Sequence, residues 1–151
     1  MYLVHADNEN CSMNSKSDGE PQCARVELME ANIWGFKTAS FPCESGKCAD
    51  ISDSTAYADT SEYGPGTVHM IDSTRTFTVE TRFIAMESGG EAGDLLEIET
   101  TLIQGANSIT IIQDDASVLR AIQEKLHYKM AVVLANFDAG ENNDISEVCE
   151  G

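Results

Sequence analysis

Glu27 and Glu30 lie three residues apart in the run Cys23-Ala-Arg-Val-Glu-Leu-Met-Glu-Ala-Asn32. Two carboxylates held a few ångströms apart are the minimum equipment for hydrolysing a glycosidic bond, one giving a proton and the other acting as nucleophile or base. The run reads as a β-strand, and strict alternation puts residues three apart on opposite faces. One extra, bulged residue between them returns both side chains to one face. Their α-carbons then stand roughly two strand steps, ~6.6 Å, apart. Flexible Glu side chains close that gap to the ~5–5.5 Å carboxyl separation of a retaining hydrolase. The competing reading is two acids on a solvated strand, a common sight in so acidic a chain. Spacing alone does not separate the two, because everything turns on the bulge.

The elements that would position these acids are mostly strands. Val26 to Ala39 reads as one long strand or two short ones. Phe77, Val79, Thr81 and Phe83 alternate with polar residues, and Val68 and Met70 are read in the same period-two pattern. Thr78, Glu80 and Arg82 are then expected to face solvent or a cleft. Leu96, Ile98 and Thr100 alternate likewise, and Ile109 to Ile112 is a second β-branched run, with Gly105-Ala-Asn-Ser as the hairpin connection. Ser88-Gly-Gly-Glu-Ala-Gly93 reads as a turn, and residues 5–22 and 44–62 as polar loops. One helix interrupts the pattern. Asp114 or Asp115 caps it, Val118, Ile122 and Leu126 recur on one face, and Lys125 and Lys129 sit near its negative end.

The wording around the acidic pair resembles the signature Cys-x-Glu-x-Asp-x-x-Glu-Ala-Asn of the family-seven glycoside hydrolases, the cellobiohydrolases and endoglucanases. Cys23 meets the Cys, Glu27 the Asp, and Glu30-Ala31-Asn32 the Glu-Ala-Asn. A second block, Tyr63-Gly64-Pro65-Gly66 followed by Ile71-Asp72-Ser73-Thr74 and Phe77 to Phe83, resembles that family's Tyr-Gly-Pro-Gly turn and the long strand after it. Phe41-Pro42-Cys43 is similar to the His-Pro-Cys beyond the catalytic strand. Met130 to Asp138 is similar to a later apolar strand ending in Trp-Asp, and Met1-Tyr-Leu-Val to the strand before the family's variable insert. The likeness is strongest over residues 23–138. It implies an all-β fold, a concanavalin A-like jelly-roll β-sandwich with one short helix on the outside. It also implies hydrolysis of β-1,4-glucan (cellulose) with retained configuration, in an open, endoglucanase-like cleft because the loops are too short to roof a tunnel.

Residue by residue, the resemblance assigns the general acid/base to Glu30 and a supporting carboxylate to Glu27. Phe137 falls where the family has a Trp that stacks on glucose, and Arg25 falls on the nucleophile itself. A guanidinium stays protonated and cannot attack a sugar carbon. Glu27 must then take over the nucleophile's part or hold a water for it. Arg25 is expected to lower the pKa of a neighbouring carboxylate. Phe41 replaces the family's active-site His. The expected site therefore consists of Glu30 and Glu27, with Phe137 and Arg25 as substrate contacts. The alternative is a non-catalytic carbohydrate-binding or structural protein on the same sandwich.

Composition bounds the rest. The 151 residues form one domain by size, 1–151, but a family-seven catalytic domain is well over twice as long. A second chain or further sequence is therefore expected to complete the sheets. Twenty-six Asp and Glu against nine Lys and Arg give a net charge of −17, which repels nucleic acid and anionic membranes and suits a neutral polysaccharide. No apolar run is long enough for a membrane helix. The first residues lack the basic and long apolar regions of a signal peptide, so the leader of a secreted form is expected to lie outside this sequence. Cys11, Cys23, Cys43, Cys48 and Cys149 lack zinc-site spacing and suggest disulfides in an extracellular protein, Cys11 with Cys23 and Cys43 with Cys48. Asn10-Cys11-Ser12 matches the glycosylation triplet. His5, His69 and His127 are scattered, and Asp138 to Asp144 does not follow the calcium-loop order, so neither metal nor cofactor is expected.

Overall fold

A computed structural model describes residues 1–5, 23–42, 55–88, 91–127 and 130–134. Two antiparallel sheets carry the architecture. The first has the order β10-β1-β2-β3-β4, built from Met130–Val133, Tyr2–His5, Arg25–Ala31, Phe36–Phe41 and Thr55–Tyr57. The second has the order β7-β8-β9, from Thr78–Ser88, Glu91–Gln104 and Asn107–Gln113. A short parallel pair, β5 (Tyr63–Gly64) and β6 (Ile71–Asp72), lies between them in sequence.

The alternation read from the sequence decides which side chains meet between the sheets. Val26 and Phe36 from the first sheet and Ile98, Leu102, Ile109 and Ile111 from the second are all buried, in two apolar clusters. Burying side chains of this kind contributes on the order of 1.5–3 kcal/mol each. Thr100 lies in the same inward row of β8, and Leu96 at its end is half exposed. On the outward face of β7, Arg82 and Glu80 form an exposed ion pair 2.6 Å long, so these residues face solvent. The turn Gly105-Ala106 joins β8 to β9, with Gly105 at φ 62°. The long hairpin before it closes more tightly than expected, since β7 continues to Ser88 and β8 begins at Glu91.

The helix α1 (Ala116–Leu126) starts where capping chemistry places it. The Asp115 carboxylate accepts from the backbone N–H of Ser117 and Val118, satisfying two donors that have no helical partner. Its apolar face is turned inward: Leu119 and Ile122 pack with Val26 and Ile98, so the helix spans the margin between the two sheets. Gln123 fixes it to the strand edge, accepting from the Leu95 N–H at 2.6 Å and donating to the Gly93 carbonyl at 3.3 Å.

The strand expected through Val68 and Met70 is not there. Only Ile71 and Asp72 are strand, and Val68 is 87% exposed. The reason is local competition for backbone hydrogen bonds. Pro65 has no N–H, Gly66 turns at φ 93°, and the Asp72 carboxylate gathers the N–H of Gly66 and both the N–H and hydroxyl of Thr74. Those bonds, the Thr74 hydroxyl foremost, hold the Asp72 carboxyl below the ordinary range. A side chain at Gly64 would strike the His69 ring at 2.7 Å, so the turn also demands glycine there for space.

Candidate active site

β2 is the central strand of its sheet, with β1 on one side and β3 on the other. The backbone N–H groups of Leu28 and Met29 both donate to the Met1 carbonyl, at 3.0 and 3.1 Å. Two successive donors on one acceptor mark an extra residue in a strand. The pairing with β3 shows the same insertion: Glu27 faces Ala39 and Glu30 faces Lys37, three steps on β2 against two on β3. Arg25, Glu27 and Glu30 consequently share a face. Val26, Leu28 and Met29 turn to the apolar clusters instead.

The end of β2 is fixed by side chains that the sequence pattern holds close. The Asn32 side-chain oxygen accepts from the N–H of Trp34 and Gly35, at 2.7 and 2.8 Å, which turns the chain back into β3. The Tyr63 hydroxyl donates to the Asn32 carbonyl at 2.9 Å, and Ser73 Oγ donates to the Ile33 carbonyl at 2.5 Å. Tyr63 stands between Phe36 and Phe77, each ring centroid 5.8 Å away. The two blocks singled out in the sequence are thus bonded to each other, one carrying the acids and the other bracing them.

Both acids are ion-paired. Arg25 Nε donates to Glu27 Oε1 at 3.1 Å, while its guanidinium lies 4.0 Å from the centre of the Phe41 ring. Lys37 Nζ lies 3.1 Å from Glu30 Oε2. The Glu27 side chain is 13% exposed and that of Glu30 23%. Glu27 Oε2 is buried and has no hydrogen-bond partner among the described residues. Burial pushes the Glu27 carboxyl above its ordinary value, Arg25 opposes that, and the charge of Glu30 adds to it. Arg25 therefore acts in the expected direction but does not prevail, because desolvation outweighs one guanidinium whose charge is shared with an aromatic face.

Of the predicted site residues, Glu27 and Glu30 are brought together, and Arg25 joins them as a buried partner of Glu27 rather than a free arm. Phe137 lies outside the described residues, as do the acidic loop 138–144 and the Asn10 triplet. Cys23 is disulfide-bonded; Cys11, Cys43, Cys48 and Cys149 also lie outside the described residues. Sequence reasoning missed Lys37. Its signal was a single cation within Phe36-Lys-Thr-Ala-Ser-Phe41, a strand otherwise made of apolar and small polar residues. Among the described residues no group of His, Cys, Asp and Glu is placed to hold a metal ion. A cavity of about 140 Å³ exists elsewhere, at the β4 edge between Ala56, Gln113 and Val118, and holds neither acid.

This sandwich, with its bulged acidic strand, matches solved structures. A native Humicola insolens endocellulase EGI superimposes at a TM-score of 0.54 with 19% identity, over 82% of this chain and 45% of that one. An endoglucanase I complexed with cellobiose gives 0.53 and 19%, over 82% and 46%. A single-site mutant of Humicola insolens endocellulase Cel7B gives 0.50 and 22%, over 70% and 34%. The chain shares the fold of these solved structures. It spans less than half the length of each of these endocellulase-fold chains. No protein-family model matches the chain, and no curated protein does. The all-β jelly-roll sandwich with one short helix, implied by the wording of two sequence blocks, is the fold observed.

Proposed function

We propose that this chain is a reduced or partial family-seven-like glycoside hydrolase domain, 1–151, that acts on β-1,4-glucan in an open cleft. The observation that carries the reading is the bulge between Glu27 and Glu30, which sets two carboxyls on one face of the endocellulase fold. With two such groups, one gives its proton to the glycosidic oxygen as the bond to C1 breaks. The other, ionised, bonds to C1, and water then displaces it, returning the proton and leaving the configuration retained. The polysaccharide neighbourhood implied is extracellular, in keeping with a disulfide-bonded Cys23 and an acidic surface.

One observation favours a second reading. Each acid already has a cation, and Arg25 replaces the expected nucleophile, so the same face is suited to bind sugar without cutting it. Reducing-end release from a soluble β-1,4-glucan, measured for the wild type, Glu27→Gln and Glu30→Gln, separates the two. The hydrolase reading expects wild-type turnover that falls by roughly 100-fold or more in both variants. Glucan binding without turnover in all three proteins establishes the binding reading, and absence of both binding and turnover removes both.

A further inference from the structure

We propose that Tyr57, on the edge strand β4, positions the glucan by laying its ring against a sugar unit beside the acidic pair. This rests on reading the face that carries Glu27 and Glu30 as the glucan site, and it holds whether that face cuts the chain or only binds it.

Register sets the place of the ring. Glu30 faces Lys37 across β2 and β3, and Lys37 faces Tyr57 across β3 and β4. Residues directly opposite on antiparallel strands point to the same side of a sheet, so the three form one row across β2, β3 and β4. Ala56 fixes which side that is. It packs against the apolar cluster between the sheets, and alternation turns its neighbour Tyr57 the other way, to the face of the acids. Neighbouring strands lie ~4.8 Å apart, which puts the Tyr57 α-carbon roughly two such steps, ~9.6 Å, from that of Glu30. A ring there stands to one side of the bond being cut and can hold the sugar chain that leads to it.

Exposure changes along the same row. The Lys37 side chain is 7% exposed and that of Glu30 23%, whereas Tyr57 is 49% exposed. β4 is the last strand of its sheet among the described residues, so the ring stands at the rim of the acidic face. A half-exposed tyrosine is ordinary in itself. Its chemistry suits this place, because a pyranose unit offers C–H groups on its faces and hydroxyls around its edge, and tyrosine offers an apolar ring with a polar tip. The ring turns about few side-chain bonds, so fixing it against a sugar costs little entropy. Phe137, the residue expected to stack on glucose, lies outside the described residues, whereas Tyr57 is set beside the acids by the sheet itself. It fell within the stretch 44–62 read as a polar loop, and pairing with β3 is what places it.

The test uses a β-1,4-linked oligoglucoside with sulfur in place of its glycosidic oxygens, which binds without being cut. Its affinity is measured by calorimetry for the wild type, Tyr57→Phe and Tyr57→Ala. Tyr57→Ala is expected to lose affinity roughly tenfold, while Tyr57→Phe, which keeps the ring, stays within about twofold. The Tyr57 ring signals in the aromatic NMR spectrum, assigned from Tyr57→Phe, should shift as the oligoglucoside is added. Wild-type affinity in Tyr57→Ala overturns the proposal, and so does an equal loss in Tyr57→Phe; neither result touches the hydrolase reading. Ring signals that stay in place as the protein saturates also overturn it, and they decide alone if Tyr57→Ala does not fold. A wild type that binds no glucan removes the proposal together with the glucan reading. The expected pattern in a protein that releases no reducing ends from β-1,4-glucan sinks the hydrolase reading and leaves this one standing.

Discussion

Glu27 is fully charged in the unfolded chain at neutral pH, whereas in the folded protein its carboxyl has little solvent and a second acid nearby. Its folded-state pKa is raised above the ordinary value near 4.5, so the native state binds the proton more tightly than the unfolded one. By linkage, native stability from this group falls as pH rises from that ordinary value through the raised one, and the cost is absent below both. Glu27→Gln keeps the shape and removes the charge. It is expected to raise the denaturant midpoint at pH 8, with the advantage shrinking to nothing near pH 4. A lower midpoint at pH 8 would mean that the Arg25 pair outweighs burial. At this scale the sequence located the acids and their cation but was a poor guide to their surroundings. Arg25 was legible as a cation beside an acid, but its burial against Phe41 and Glu27 was not, since relative exposure is a property of the packed sheet.

A single inserted residue lets two acids three positions apart share a face. Deleting Met29 removes the bulge and leaves two steps on β2 against two on β3, so Glu27 and Glu30 still share a face and Glu30 still stands opposite Lys37. What the deletion loses is the Met29 side chain packed against the apolar cluster, a cost of up to about 3 kcal/mol. Equilibrium denaturation should show a loss of that order, with glucan binding retained. Loss of binding in a folded deletion variant would mean that the bulge itself, and not the shared face, shapes the site. The neighbouring turns were easier to read. Glycine at positions 64 and 66 and asparagine at 32 act through local geometry, which sequence carries well. The same locality explains the failure at Val68 and Met70: period-two spacing was present, but the Gly66 turn, whose N–H is held by Asp72 and whose carbonyl accepts from the His69 N–H, bends the chain there.

The whole molecule carries a charge of −17, and its field reaches about 10 Å at 0.1 M salt. Affinity for a neutral β-1,4-glucan should therefore change little between 10 and ~150 mM salt, while affinity for a carboxymethylated glucan should rise as repulsion is screened. Parallel binding isotherms on the two polymers check this; a salt-sensitive neutral glucan would show that charge and not shape drives the contact. The first sheet ends at β4 and β10 and the second at β7 and β9.

The sequence alone determined most of the strands, the capped helix and the two blocks that carry and brace the acids, because alternation, caps and turn residues are local and survive being read one stretch at a time, while the sandwich came from the resemblance those blocks carry. Tertiary structure decided that Glu27 and Glu30 share a face, that Lys37 belongs with them, and that burial overrides Arg25. Those outcomes depend on how β2 registers against β1 and β3, and strand register is settled only when the neighbouring strands and the apolar core fix it together.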